Sequence, residues 1–206
     1  MARGGARRNP QQKLVEAEAR REAERRAAQR RRWVITVGLL VVLVGFIVFL
    51  VTRPPPAILA AVETFGDLGA IHLDAASPVP EYNSDPPTSG PHSPTAYQCG
   101  IYRQPVPDIN QVHDLEHGVV VIQYDPNLQA DERDVLEGFA RDAGTHVIVA
   151  PREGMDSPIV LTAWTKRLAL DTADRDDISV FYDTYAQFGP ETGVACPIQT
   201  DEGAAS

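Results

Sequence analysis

Residues 113–124 read HDLEHGVVVIQY: two histidines four apart, a glutamate beside the second, a glycine, then a mostly β-branched run. The run VVVIQY has the composition of a strand buried on both faces. Gly118 stands just before it, and glycine tolerates the left-handed backbone on which helices commonly end. The stretch therefore predicts a short helical turn that carries both histidines and feeds a central strand. On one turn of helix, a spacing of four points both imidazoles to the same side.

Downstream, helical and extended patterns alternate. ADERDVLEGFARDAG places Val135, Leu136, Phe139 and Ala140 at helical spacing, with acids in its first turn. HVIVAP predicts a second strand, REGMDS a polar turn, and PIVLTAW a third strand antiparallel to the second. DRDDISVFYDTYAQFG predicts a helix with Ile178, Phe181, Tyr182 and Tyr185 on one face and Gly189 as its stop. The order β-α-β-β-α points to an α+β fold, a small mixed or antiparallel sheet with two main helices on one face. No internal repeat is present.

Upstream, prolines recur from Pro78 to Pro107, which excludes regular helix and central strand over 77–110. Loops of that length are functional or disordered. The presence of His92, Tyr97, Cys99 and Tyr102 within it argues for order.

The charge is split. Residues 1–53 carry twelve Lys/Arg against four Glu, and the remainder seven against twenty-four Asp/Glu. Between the two halves lies WVITVGLLVVLVGFIVFLVT, Trp33 to Thr52, uncharged and twenty residues long. As a helix it spans roughly 30 Å, the thickness of a bilayer's hydrocarbon core. It is longer than the apolar core of a signal peptide, and some thirty residues precede it. Arg30, Arg31 and Arg32 abut its amino-terminal end and only Arg53 its other end. The positive-inside rule then keeps 1–32 in the cytoplasm and exports the chain beyond residue 53. The basic segment, rich in helix formers with Glu16–Arg20 and Glu22–Arg26 at i,i+4, reads as a solvated juxtamembrane helix, and no nucleic-acid partner is expected. The expected organisation is a basic cytoplasmic helix over 1–32, a transmembrane helix over 33–52, a stalk or entry segment over 53–76 behind the breaker RPPPA, an extracytoplasmic domain over 77–196 and a disordered tail over 197–206.

Outside the cytoplasm the two cysteines, Cys99 and Cys196, admit one intramolecular disulfide. It would tie the tail to the loop ahead of the histidine motif.

The histidines are His72, His92, His113, His117 and His146. Imidazole is a common ligand for zinc and copper, and a site needs three or four donors. His113 and His117 supply two, His92 in PPTSGPH is the natural third, and Glu116 is a ligand or a partner that orients a ring. Met155 and the cysteines are softer donors. Two other readings stand beside metal binding: hydrogen-bonding anchors for the loop, and acid/base catalysis without metal. HDLEH also fits the reversed zinc-protease motif H-x-x-E-H, but that motif needs a sustained helix, and here Gly118 and a strand come at once.

The blocks YNSDPPTSGPH, CGIY, VHDLEHGVVVIQY and TAW, the last followed by a helix and GPE, resemble a bacterial, membrane-anchored family catalogued as domain of unknown function 3105, frequent in actinobacteria. The resemblance covers roughly residues 58–195. It implies signature positions at Pro87, Thr88, Ser89, Gly90, His92, Tyr102, His113, Leu115, Glu116, His117 and Gly118, and it implies no activity.

The sequence thus predicts a membrane-anchored extracytoplasmic protein that binds copper or zinc through His92, His113, His117 and Glu116, with no residue assigned to catalysis. The alternatives are a metal-free envelope module that offers its acidic, proline-rich surface to an envelope protein partner, and a zinc-dependent hydrolase.

Overall fold

The computed structural model describes residues 10–52, 56–74, 77–78 and 80–198. The first nine residues of the basic segment, Arg53, Pro54 and Pro55 of the RPPPA breaker, and the tail from 199 onward lie outside the described residues. The chain divides into two compact units, 1–54 and 55–206.

The described residues of the first unit form one helix, α1 (Pro10–Val51). Part of it, Arg20–Phe49, is long and apolar enough to cross a membrane. Its large apolar side chains, among them Trp33, Leu39 and Phe46, are exposed, as a lipid-facing helix requires and a water-soluble one does not. Glu22 and Arg26 pair at 3.6 Å across one turn.

The second unit is α+β, built on a mixed six-stranded sheet in the order β1-β6-β5-β3-β4-β2. The strands are β1 (Glu63–Thr64), β2 (Gly100–Ile101), β3 (Val120–Tyr124), β4 (Val147–Pro151), β5 (Ile159–Ala163) and β6 (Lys166–Leu170). The helices are α2 (Asp108–Glu116), α3 (Ala130–Ala143) and α4 (Arg175–Tyr185). The sheet is larger than the sequence suggests, because β6 and the two short edge strands carry weak signals. β3 lies at its centre, parallel to β4 and antiparallel to β5. The second and third predicted strands, β4 and β5, run in opposite directions as expected, with β3 between them.

Alternation along the strands divides the side chains between two faces. Val120, Ile122 and Tyr124 share one face with Val147, Val149, Ile159, Leu161, Leu168 and Leu170. Leu136, Phe139 and Ala140 of α3 and Ile178 and Phe181 of α4 cover it. Asp174 caps α4 by accepting from the amides of Asp176 (2.9 Å) and Asp177 (3.2 Å). The helix stops at Tyr185, where Ala186 turns extended, one residue before Gln187 and well short of the expected stop at Gly189.

Val121, Ile148 and Ala150 face the other way, against Leu115 of α2 and against Cys99, Val106, Tyr97 and Tyr102 of the proline-rich segment. That segment is ordered because its backbone groups have partners. The Thr88 carbonyl accepts from Thr165 (2.9 Å), the Asp85 carbonyl from Arg167 (3.0 Å) and the Pro87 carbonyl from Gln111 (3.2 Å). The disulfide Cys99–Cys196 spans a Cα separation of 5.5 Å and fixes the carboxy-terminal strap to this face.

Candidate metal centre

Three backbone segments converge at the start of β3. The first is the end of α2. The helix runs from Asp108 to Glu116, with His117 as its cap residue and Gly118 at φ +79°. His113 and His117 are one turn apart, and their Nε2 atoms approach to 3.2 Å.

The second is a short parallel pairing between 69–73 and 90–92. Gly90 N–H donates to Gly69 O (2.9 Å), His92 N–H to Ile71 O (2.9 Å) and Leu73 N–H to His92 O (2.7 Å). This register sets His72 beside His92, ring centroids 4.9 Å apart. Gly90 sits at φ +127°, and a Cβ there would stand 3.2 Å from the Tyr82 ring, so the turn into His92 favours glycine.

The third is the strap after α4. Gln187 N–H donates to Gly118 O (2.7 Å) and Glu191 N–H to Glu116 O (3.0 Å). A Cβ on Gly189 would collide with the Glu116 carbonyl, and one on Gly118 would lie 2.6 Å from the Gln187 backbone. These two glycines let the strap lie directly on the end of α2. Glu191 is thereby delivered to His117, Oε2 to Nε2 at 3.3 Å.

The ring nitrogens are arranged in one sense. His92 Nδ1–H donates to the Gly90 carbonyl (2.8 Å) and His113 Nδ1–H to the Ser93 carbonyl (2.7 Å). Both Nε2 atoms then face inward. His92 Nε2 lies 3.0 Å from Glu116 Oε2, and His72 Nε2 lies 3.5 Å from the same oxygen. His92 is fully buried, and His113 and Glu116 nearly so, while the His72 side chain is half exposed.

The proton count is short. His92 faces an acceptor at each nitrogen, so a proton must sit between Nε2 and the Glu116 carboxylate. His117 Nε2 lies against both His113 Nε2 and Glu191 Oε2, so a proton on it would be shared between the two. A cation placed among the Nε2 atoms meets both demands without those protons, and the Nδ1 bonds to carbonyls are what fix the ligating tautomer.

The donor atoms fall into two groups, each with all members within 4.8 Å of one another: His72, His92, His113 and Glu116, and then Glu116, His117 and Glu191. Ligands of one zinc ion, with bonds of about 2.0–2.1 Å, stand about 3.4 Å apart, so either group closes on an ion with small side-chain shifts. Burial, followed by the neighbouring His113, pushes His117 below the usual imidazole range against the opposing pull of Glu191 and Glu116. This favours the neutral ring that metals bind. Burial likewise pushes Asp114 well above the usual carboxylate range, although the Tyr97 N–H donates to its Oδ1 (2.8 Å).

Of the residues singled out from sequence, His92, His113 and Glu116 share one group and His117 joins Glu116 in the second. Sequence reasoning misses His72 and Glu191. It places His72 in a stalk or entry segment, whereas residues 56–74 contribute β1 and this candidate donor to the domain. His146 stands elsewhere and holds the strap, its Nε2 donating to Val194 O (2.9 Å). Met155 lines a different cavity, with Asp125, Asp156 and Asp171, and both cysteines are consumed by the disulfide. The centre is all nitrogen and oxygen.

No curated protein and no solved structure matches the chain. A family model does match, over residues 72–198, from His72 at the centre to the end of the strap. The chain therefore belongs to the family described as protein of unknown function, DUF3105.

Proposed function

We propose that this is a membrane-anchored protein whose exported domain binds a transition metal, zinc or divalent copper, through His92, His113 and Glu116, with His72 in the same donor group and His117 in the adjoining one. The observation that carries the reading is the paired anchoring of His92 and His113 through Nδ1 to backbone carbonyls, which leaves the Nε2 of His92 on the buried Glu116 carboxylate and that of His113 on His117 Nε2. Imidazole and carboxylate suit zinc and Cu(II), and the lack of a sulfur donor among the described residues of the centre disfavours Cu(I). The hydrolase reading is weaker. Helix α2 exceeds a single turn, so its length does not decide the matter. The Glu116 carboxylate weighs against that reading, because it is engaged by His92 and His72 rather than free to activate water as a general base. The same hydrogen bonds support the metal-free reading, in which the histidines brace the loop for an envelope partner.

Metal content of the full-length chain in detergent, dialysed after loading with Zn(II) or Cu(II), separates the two. We expect bound metal and a raised Tm, since an ion held only by the folded state stabilises it. Both should be lost in the triple variant His92→Ala, His113→Ala, His117→Ala. Undiminished metal in that variant, or a Tm indifferent to metal and chelator alike, would sink the proposal. Export of the domain is tested with a reporter fused after Ser206, which should be active only outside the cytoplasm.

A further inference from the structure

We infer that the centre is dinuclear, with the Glu116 carboxylate bridging two divalent ions. This rests on the metal-binding reading above and extends it. Six residues converge here, more donors than a four-coordinate ion uses. They sort into two sets whose common member is Glu116. His72, His92 and His113 make up the rest of the first set, and His117 and Glu191 the rest of the second.

A carboxylate has two oxygens and can give one to each ion. Glu116 Oε2 already faces His92 and His72. The contact between His113 Nε2 and His117 Nε2, 3.2 Å, brings the two sets side by side. Ion pairs in two-metal sites stand about 3.5–4 Å apart, a separation that adjacent donor sets of this kind allow. The strap is built to complete the second set: its backbone is bonded to Glu116 and Gly118, and two glycines remove the Cβ atoms that would hold it off.

The two positions are unequal. The first is enclosed by buried His92 and His113. The second depends on Glu191, whose side chain is more than half exposed. The second ion therefore binds more weakly and leaves first.

The test uses the full-length chain in detergent with Cu(II) as the probe. Stoichiometry is measured by calorimetry, and the electron paramagnetic resonance spectrum is recorded at one and at two equivalents. We expect two ions per chain of unequal affinity. One equivalent should give an isolated-ion spectrum, and two equivalents an exchange-coupled spectrum with a half-field transition. Glu191→Gln, a change at an exposed side chain, should leave one ion and abolish the coupled signal. A single ion in the wild type, or two ions with uncoupled spectra, would overturn the dinuclear centre and leave the metal-binding reading standing. No ion at all would overturn that reading instead.

Discussion

The two faces of the sheet solve different problems. The face under α3 and α4 is aliphatic and aromatic, and is closed by side chains that fill space. The face under α2 and the proline-rich segment also buries Gln111, Gln123, Thr162 and Arg167, and is covered by chain with little regular structure. On the first face, shape and volume suffice. On the second, stability depends on named hydrogen bonds, ion pairs and one disulfide, and these are also what hold His92 and Glu191 in place. One face stabilises the domain and the other positions its centre.

The largest effect is expected on the helix face. Phe181 is fully buried, with its ring 4.9 Å from that of Tyr185. Phe181→Ala should cost about 3–5 kcal/mol, through lost burial plus the cavity left behind. Denaturant titration measures the loss. If the comparison holds, the folded fraction keeps its metal stoichiometry, and a changed stoichiometry would show that the faces are not separable.

Next comes the disulfide on the loop face. Replacing Cys99 and Cys196 together with serine should cost about 2–4 kcal/mol. Hydrogen exchange should then show protection falling first over 97–106 and 187–198, with β3, β4 and β5 still closed. Uniform loss across the sheet would contradict the division.

A smaller, pH-dependent effect is expected where the faces meet. Glu137 of α3 is buried, which alone would raise its pKa. Arg103, followed by Arg141, outweighs burial and holds the carboxyl below its ordinary value. A depressed folded-state pKa stabilises above the unfolded value of about 4.3 and loses that contribution as pH falls through the folded value. Glu137→Gln should therefore be less stable than the wild type at pH 7, by about 1–2 kcal/mol given partly exposed arginines. The gap should narrow as pH falls below the unfolded value of about 4.3 and close once pH passes below the depressed folded value, and a gap that persists there would assign the loss to packing.

The helix face is the legible one. Periodicity in 130–143 and 175–185 and the β-branched run of β3 are local signals, and each maps onto an element. The sheet's edge is not legible. The β5–β6 hairpin turns at Trp164–Thr165, with Thr165 at φ +60°, and neither residue marks such a turn in sequence. The centre is half legible. His92, His113, His117 and Glu116 sit in compact motifs. His72 and Glu191 arrive through backbone pairings with residues 20 and 75 positions away, and no periodic pattern announces those. The only local hint for His72 is its place between Ile71 and Leu73, an alternation that suits extended chain.

The smallest effect bears on how polar the loop face needs to be. Gln123 sits on β3 with Ala150 and Val160 as its neighbours in register. Neither atom of its amide has a hydrogen-bond partner among the described residues, and Gln111 Oε1 is in the same condition. A buried polar group without a partner costs about 1–3 kcal/mol. Methionine has nearly the same length and volume and no such demand. Gln123→Met should therefore leave stability unchanged or raise it by about 1 kcal/mol, with metal binding intact. A drop of similar size on thermal unfolding would mean that the amide does hold the proline-rich segment in solution. The loop face would then be a single polar network from β3 to the metal centre, and the hydrogen bonds of Gln111 to Pro87 and Thr162 would be part of it.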